Sequence, residues 1–232
     1  MMPLIGSMNG ESMKRIHPLI LALLLTGSLL LVASAAGGTT TSAVPDPTAQ
    51  MQPFVARITN LLQNEDFRND PRCERCQQII DIAKEHFDFR EMSKRVLGRQ
   101  WRKLSPEEKD RFVTLFTRLL QYAYIGKIKD YAGQQVEFTG QRIKGKRAEV
   151  KTLLVDRDKT IPVSYIMLLK GDQWMTYDVV VEGVSLVRNY MEQFREILRK
   201  EKYAGLVKRL EEKIHQLEQE KMQEMAKPSR AG

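Results

Sequence analysis

The sequence predicts an α+β fold: N-terminal helices and a C-terminal helix packed on a curved four-stranded antiparallel sheet, cone-like, with an apolar cavity. Three observations predict it. Hydrophobic spacing is helical from Phe54 to Ile128, switches to a period of two after Gly133, and returns to helical spacing after Gly183. Short turn signals join consecutive strand patterns, which favours an antiparallel meander. Finally, "TYDVVVEGVSLVRNYMEQF" (176–194) sets valines on both faces of a strand and then runs straight into an apolar helix. One face serves an ordinary core. The other needs a second apolar partner.

The elements follow in order. Phe54, Ile58, Leu61 and Leu62 mark a first helix; Ile79, Ile80, Ala83 and Phe87 mark a second; "FREMSKRVLG" is a short third, ending at Gly98. The fourth opens on Ser105-Pro106-Glu107-Glu108, a capping box with proline at the first helical position. Phe112, Leu115, Phe116 and Leu119 form one apolar line on it, and Val113, Leu120, Tyr124 and Ile128 another, so it is expected to be buried on two sides. The strands are "QQVEFTG", "RAEVKTLLV", "TIPVSYIMLLK" and "QWMTYDVVV", with hairpin turns at "KGK" (144–146) and Gly171-Asp172. Pro162 stands early in its strand, where a missing N–H is tolerated. The last helix starts near Val184 and is expected to break around Gly205. Beyond it Val207, Leu210, Ile214 and Leu217 keep heptad spacing that fails at Lys221, too short for a coiled coil and read as a fraying amphipathic extension.

The 232 residues divide into a leader (1–35), a flexible linker (36–50, "AGGTTTSAVPDPTAQ"), the main domain (51–205) and a charged helical tail (206–232). The leader has Lys14 and Arg15, an apolar run from Ile16 to Val32, and Ala33-Ser34-Ala35 as a small-x-small cleavage site, with Met13 a credible start. A cleaved secretory signal is expected rather than a membrane anchor, because a run of about 17 residues is short for a bilayer. The protein is therefore expected in the periplasm. The chain carries +8 formal charge and a pI near 9.4. Without the leader, 35 basic and 28 acidic residues remain, interleaved as on a solvated helix face, so no nucleic-acid partner is expected.

Catalytic and metal chemistry finds little support. Cys73-Glu74-Arg75-Cys76 lacks the histidine of a haem attachment site (Gln77 follows), and His86 and His215 are too far apart in sequence to complete a zinc site. In an exported chain the pair Cys73 and Cys76 reads as a possible disulfide. "GVSLV" lacks the second glycine of a nucleophile elbow. What remains is an apolar surplus: Trp101, Phe112, Phe116, Leu119, Tyr122, Tyr165, Met167, Trp174, Tyr177, Val179, Val184, Val187, Tyr190 and Phe194 are the candidate lining of the cavity. Lys94, Arg95, Arg99, Arg102 and Lys103, beside Trp101, are a candidate basic rim for transient contact with a membrane surface. The competing reading is a cone-shaped periplasmic enzyme acting on a small apolar substrate through Tyr177 and Asp178, although neighbours on a strand point to opposite faces. A scaffold whose surplus is plain core is the third.

The order "W-x-x-L-S-x-E-E…F…F…LL…Y" at 101–124, the "FDFREMSKRVLG" before it and "YDVVVEGVSLVRNY-x-x-QF" ending at 194 resemble MlaC-type periplasmic phospholipid-binding proteins, the toluene-tolerance family, over Phe54 to Leu210. Met191 stands where that family commonly has a basic residue. The resemblance implies the substrate-binding component of a lipid ABC transport system, monomeric and not an enzyme, with bound phospholipid as ligand and no cofactor. It would pass lipid between an outer-membrane lipoprotein–porin complex and an inner-membrane MCE-domain ABC transporter, maintaining outer-membrane lipid asymmetry.

Overall fold

A computed structural model describes residues 44–68, 76–129, 135–155 and 160–226. The leader, most of the linker and Cys73 lie outside the described residues. The elements are α1 (Pro47–Gln63), α2 (Glu65–Arg68), α3 (Cys76–His86), α4 (Phe89–Leu97), a 3₁₀ turn (Gly98–Lys103), α5 (Pro106–Lys129), β1 (Gln135–Lys144), β2 (Arg147–Val155), β3 (Thr160–Lys170), β4 (Gln173–Val181), β5 (Val184–Ser185) and α6 (Leu186–Ala226). The strands pair antiparallel in chain order, making a five-stranded sheet. The fifth strand is the addition to the expected four. Val184 and Ser185 fold back on Val181 and Val180 before the helix begins, because Glu182 and Gly183 both adopt positive φ (51° and 82°) in a two-residue turn.

Local chemistry accounts for the helix starts. Asp46 caps α1 by accepting from Thr48 N–H (2.8 Å) and Ala49 N–H (3.2 Å), so residues 47–50, read from sequence as linker, form its first turn. The capping box of α5 is reciprocal: Glu108 N–H donates to Ser105 Oγ (3.1 Å), and Ser105 N–H donates to Glu108 Oε2 (2.8 Å). Asp88 caps α4 through Glu91 N–H, while its own N–H donates to Thr176 O of β4 at 2.8 Å, which fastens the α3–α4 corner to the sheet. Cys76 is buried at the head of α3, and there is no free cysteine among the described residues.

The long helix α6 turns back on itself at Lys202 (φ 59°), three residues before the break expected at Gly205. Gly205 is needed there for another reason: a Cβ would sit 2.3 Å from Glu201 Cβ. After the bend α6 runs parallel to α5. Tyr203 Oη donates to Glu108 O (2.9 Å), Arg111 pairs with Glu211 (2.6 Å), and Arg118 pairs with Glu218. The heptad seam thus has its partner within the chain. Leu206, Val207, Leu210 and Ile214 are buried with Phe112, Phe116, Val187, Tyr190 and Phe194 in one core, and helix continues to Ala226.

Candidate functional site

The site begins with the register of the sheet. Paired residues share a face, so one face carries successive rows: Val136, Leu154 and Ile161; then Thr152, Val163 and Val181; then Val150, Tyr165 and Val179; then Ala148, Met167 and Thr176. A bulge keeps this order. Ile166 pairs with Asp178 but Met167 pairs with Thr176, leaving Tyr177 as the extra residue. Trp174 and Thr176 therefore share a face with Val179 and Val181, though the step from Thr176 to Val179 is an odd number of positions. Tyr177 turns to the other side, among α4 and α6, with the Arg95 guanidinium 3.7 Å from its ring centre.

The two halves of this face meet different partners. Toward the hairpin turns it is filled: Met51, Phe54 and Val55 of α1 pack against Ala148, Val150, Met167 and Trp174. Toward the opposite end it is not, and a cavity of about 530 Å³ remains. Its sheet wall is Val136, Leu154, Ile161, Val163, Tyr165, Val179, Val181 and Val184. Opposite stand Phe54, Val55, Ile58 and Leu62 of α1, Ile79, Ile80 and Ala83 of α3, and Phe87, Phe89 and Met92 around the start of α4. Leu120 and Tyr124 of α5 and Leu186 of α6 complete the apolar lining. Val181 and Val184 are 41% and 63% exposed, so the β4–β5 turn forms an apolar lip.

No charged side chain lines the cavity among the described residues; its polar members are Thr59, Thr117, Gln121, Tyr124, Tyr165 and Asn189. Several are already occupied. Thr59 Oγ1 donates to helix carbonyls at 3.0 Å, and Asn189 Oδ1 accepts from Gln193 Nε2 at 3.2 Å. The Tyr165 hydroxyl meets Thr152, and Tyr124 meets Tyr190. Tyr165 is surrounded by protein yet keeps accessible surface, because that surface faces the hollow. Burial pushes its phenol up to about 12, and raises that of Tyr190. Tyr165 is therefore a neutral, weakly polar part of the wall at ordinary pH.

Of the residues chosen from sequence, Tyr165, Val179 and Val184 line this cavity. Met167 and Trp174 lie in the packed half of the same face, where Trp174 Nε1 donates to Pro45 O at 2.6 Å. Trp101, Phe112, Phe116, Leu119, Tyr177, Val187, Tyr190 and Phe194 form the core between α4, α5 and α6, with Tyr122 packed against it and joined to Glu218. One apolar line of α5 thus lies in that core; of the other, Leu120 and Tyr124 join the core and also line the cavity. The α1 and α3 residues of the wall were visible as helix stripes in the sequence, but nothing local distinguishes a stripe that meets a hollow from one that meets a core. In the basic cluster, Lys94 and Arg95 pair with Glu91 (3.1 and 2.9 Å), whereas Arg99, Arg102 and Lys103 are exposed. Trp101 lies between Arg90 and Lys109, 5.5 and 5.8 Å from its ring centre. Asp178 accepts from Ser185 Oγ and Val187 N–H at the start of α6 and, like Tyr177, is absent from the cavity wall. Among the described residues no group of three or more His, Cys, Asp and Glu is placed to hold a metal ion.

Fold and site together define an α+β protein whose antiparallel sheet and flanking helices bound an uncharged apolar pocket. The family model described as MlaC protein matches residues 52–212, and the chain belongs to that family. The chain is similar to the intermembrane phospholipid transport system binding protein MlaC of Haemophilus influenzae, 22% identical over 128 residues, 53% of this chain and 60% of that protein. It is also similar to toluene tolerance protein ttg2D of Pseudomonas putida, 27% identical over 101 residues, 43% of this chain and 47% of that protein. The match therefore spans less than two thirds of either relative. Among solved structures, a phospholipid-binding protein from Ralstonia solanacearum in complex with a phospholipid superposes with a TM-score of 0.70 at 22% identity, covering 75% of this chain and 99% of that one. At that identity the likeness is one of fold.

Proposed function

We propose that this protein is a phospholipid carrier which holds acyl chains in the cavity between the sheet and α1, α3 and α5. The observation that carries the reading is the wall itself, apolar and without a charged side chain among the described residues. Acyl chains gain about 0.8 kcal/mol per buried CH₂, and a wall nearly as apolar as a bilayer makes transfer from membrane to protein close to neutral. Unpaired polar groups in that wall would upset the balance; here most of the hydroxyls are turned to neighbouring protein groups. A volume of about 530 Å³ falls within the ~300–1,000 Å³ of ligand pockets. The head group would lie outside, beyond the lip of Val181 and Val184.

In the finer reading, residues 1–35 direct export and are cleaved, and the carrier works in the periplasm. It passes lipid between an outer-membrane lipoprotein–porin complex and an inner-membrane MCE-domain ABC transporter, and so maintains lipid asymmetry. The similarity to an intermembrane phospholipid transport system binding protein supports a transport role between membranes, as does the phospholipid bound in the Ralstonia structure. The test is native mass spectrometry with solvent extraction of the purified protein. Co-purifying phospholipid is expected. A protein that is empty, and stays empty after incubation with vesicles, would overturn the reading.

A further inference from the structure

The strand ends opposite the cavity carry a different surface. The β1–β2 hairpin reads "RIKGKRAEVK" (142–151), five basic residues and one acid. Arg142, Lys144, Lys146 and Arg147 are all exposed, and none forms an ion pair among the described residues, although Glu149 stands across the ladder from Arg142. This sets them apart from Arg57, Arg90, Arg111, Arg118 and Arg209, each held by a carboxylate. Ile143, 40% exposed, lies between two of the basic residues, and Val44, 53% exposed, stands just before the start of α1. Three contacts hold the start of α1 at this end of the sheet: Thr48 N–H donates to Gln141 Oε1 (3.0 Å), Trp174 Nε1 donates to Pro45 O, and Gln50 Nε2 donates to Asp172 O (2.8 Å). The exposed large apolar residues thus include a pair at each end of the sheet, Val181 with Val184 at the cavity and Ile143 with Val44 at the hairpin. Val136 and Lys144 mark these ends, eight residues apart, or about 25 Å at ~3.3 Å per residue.

We propose that the hairpin tip, Arg142 to Arg147, docks the protein on an anionic phospholipid bilayer surface, leaving the cavity end directed away from that surface. Each basic residue near such a surface contributes about 1 kcal/mol, and the two aliphatic side chains can enter the head-group layer. A folded protein partner is the poorer fit. Stable protein interfaces bury about 800 Å² per partner, whereas this is a narrow turn without an aromatic residue. Lysines on an edge strand discourage strand pairing as well, but that role predicts no affinity for lipid.

The experiment is sedimentation of the whole chain with phosphatidylglycerol–phosphatidylcholine vesicles and with phosphatidylcholine alone, at low and high salt; any contribution of the leader is common to parent and variants. Binding to the anionic vesicles that weakens with salt is expected. The quadruple variant R142Q/K144Q/K146Q/R147Q should bind several hundredfold less tightly, at roughly fivefold per residue, and R99Q/R102Q/K103Q should be much less affected. The fluorescence of the tryptophan introduced by Ile143→Trp should be quenched by brominated lipid. Cavity lipid content, measured on the same samples, should not change, which separates this surface from the carrier function. The proposal is overturned if the parent ignores anionic vesicles, which would leave an acidic protein or edge protection as the role of the charges. It is equally overturned if the quadruple variant binds as the parent does, or if the introduced tryptophan stays unquenched on bound protein.

Discussion

Asp178 Oδ2 accepts a hydrogen bond from Ser185 Oγ at 2.5 Å, while Asp178 Oδ1 accepts one from Val187 N–H at 2.9 Å. Ser185 Oγ in turn accepts from Arg188 N–H at 3.0 Å, so a buried carboxylate on β4 and one hydroxyl cap the start of α6 between them. This joins the last strand to the helix without a loop. Asp178→Ala leaves buried donors without a partner and should cost about 1.5–3 kcal/mol, read as a lower urea midpoint with unchanged slope. Asp178→Asn, which keeps an acceptor, should cost less. Equal losses in the two variants would show that the carboxylate charge matters and the geometry does not.

Val179 and Phe116 separate cavity from core. Val179 faces the hollow beside Tyr165, whereas Phe116 is fully buried against Phe112, Tyr190 and Phe194. Val179→Asp should fold and lose co-purifying lipid, because its charge reaches open space that an acyl chain would otherwise fill. Phe116→Asp should fail to fold, since a charge buried without a partner costs several kcal/mol. Full lipid loading in a folded Val179→Asp variant would remove this wall from the binding site.

Two titrations give pH signatures. Burial raises the Tyr165 phenol to about 12 in the fold from near 10 in an unfolded chain, so stability is complete below pH ~10 and falls as pH rises between these values, by at most about 3 kcal/mol. Phenolate absorbance should show one late-titrating tyrosine fewer in Tyr165→Phe. His86, whose ring lies tilted 4.6 Å from that of Phe54, is shifted down, first by burial. The unfolded chain therefore takes that proton first, and stability should fall as pH drops through ~6.5. In His86→Gln the denaturation midpoint should lose this part of its acid dependence.

The end of α6 is testable by truncation. Ending the chain after Gly205 removes Leu206, Val207, Leu210 and Ile214, all buried. At about 1.5–3 kcal/mol each, their sum rivals the ~5–15 kcal/mol of a whole domain. That variant should be unfolded by circular dichroism. Ending after Glu220 spares these four and should leave the fold intact. If the shorter chain melts cooperatively, the packing of α6 on α5 is dispensable.

The order of elements, the capped start of α5, the meander and the presence of surplus apolar surface were all legible in the residues, because period, caps and turns are local properties. The family resemblance was legible too, in the motifs at 101–124 and 174–194. Local pattern did not reveal which apolar stripe would meet space. Tyr177 sits two residues from Val179, and a strict period of two places them together; a one-residue bulge, set by pairing with β3, sends them to opposite sides. Phe116 and Leu120 are equally apolar neighbours on α5 and share one core, yet Phe116 is closed over by Tyr190 and Phe194 of α6, while Leu120 also reaches the cavity wall. The amount of apolar surface is written along the chain, but the place where it stays unfilled depends on contacts between segments as distant as α1 and β4.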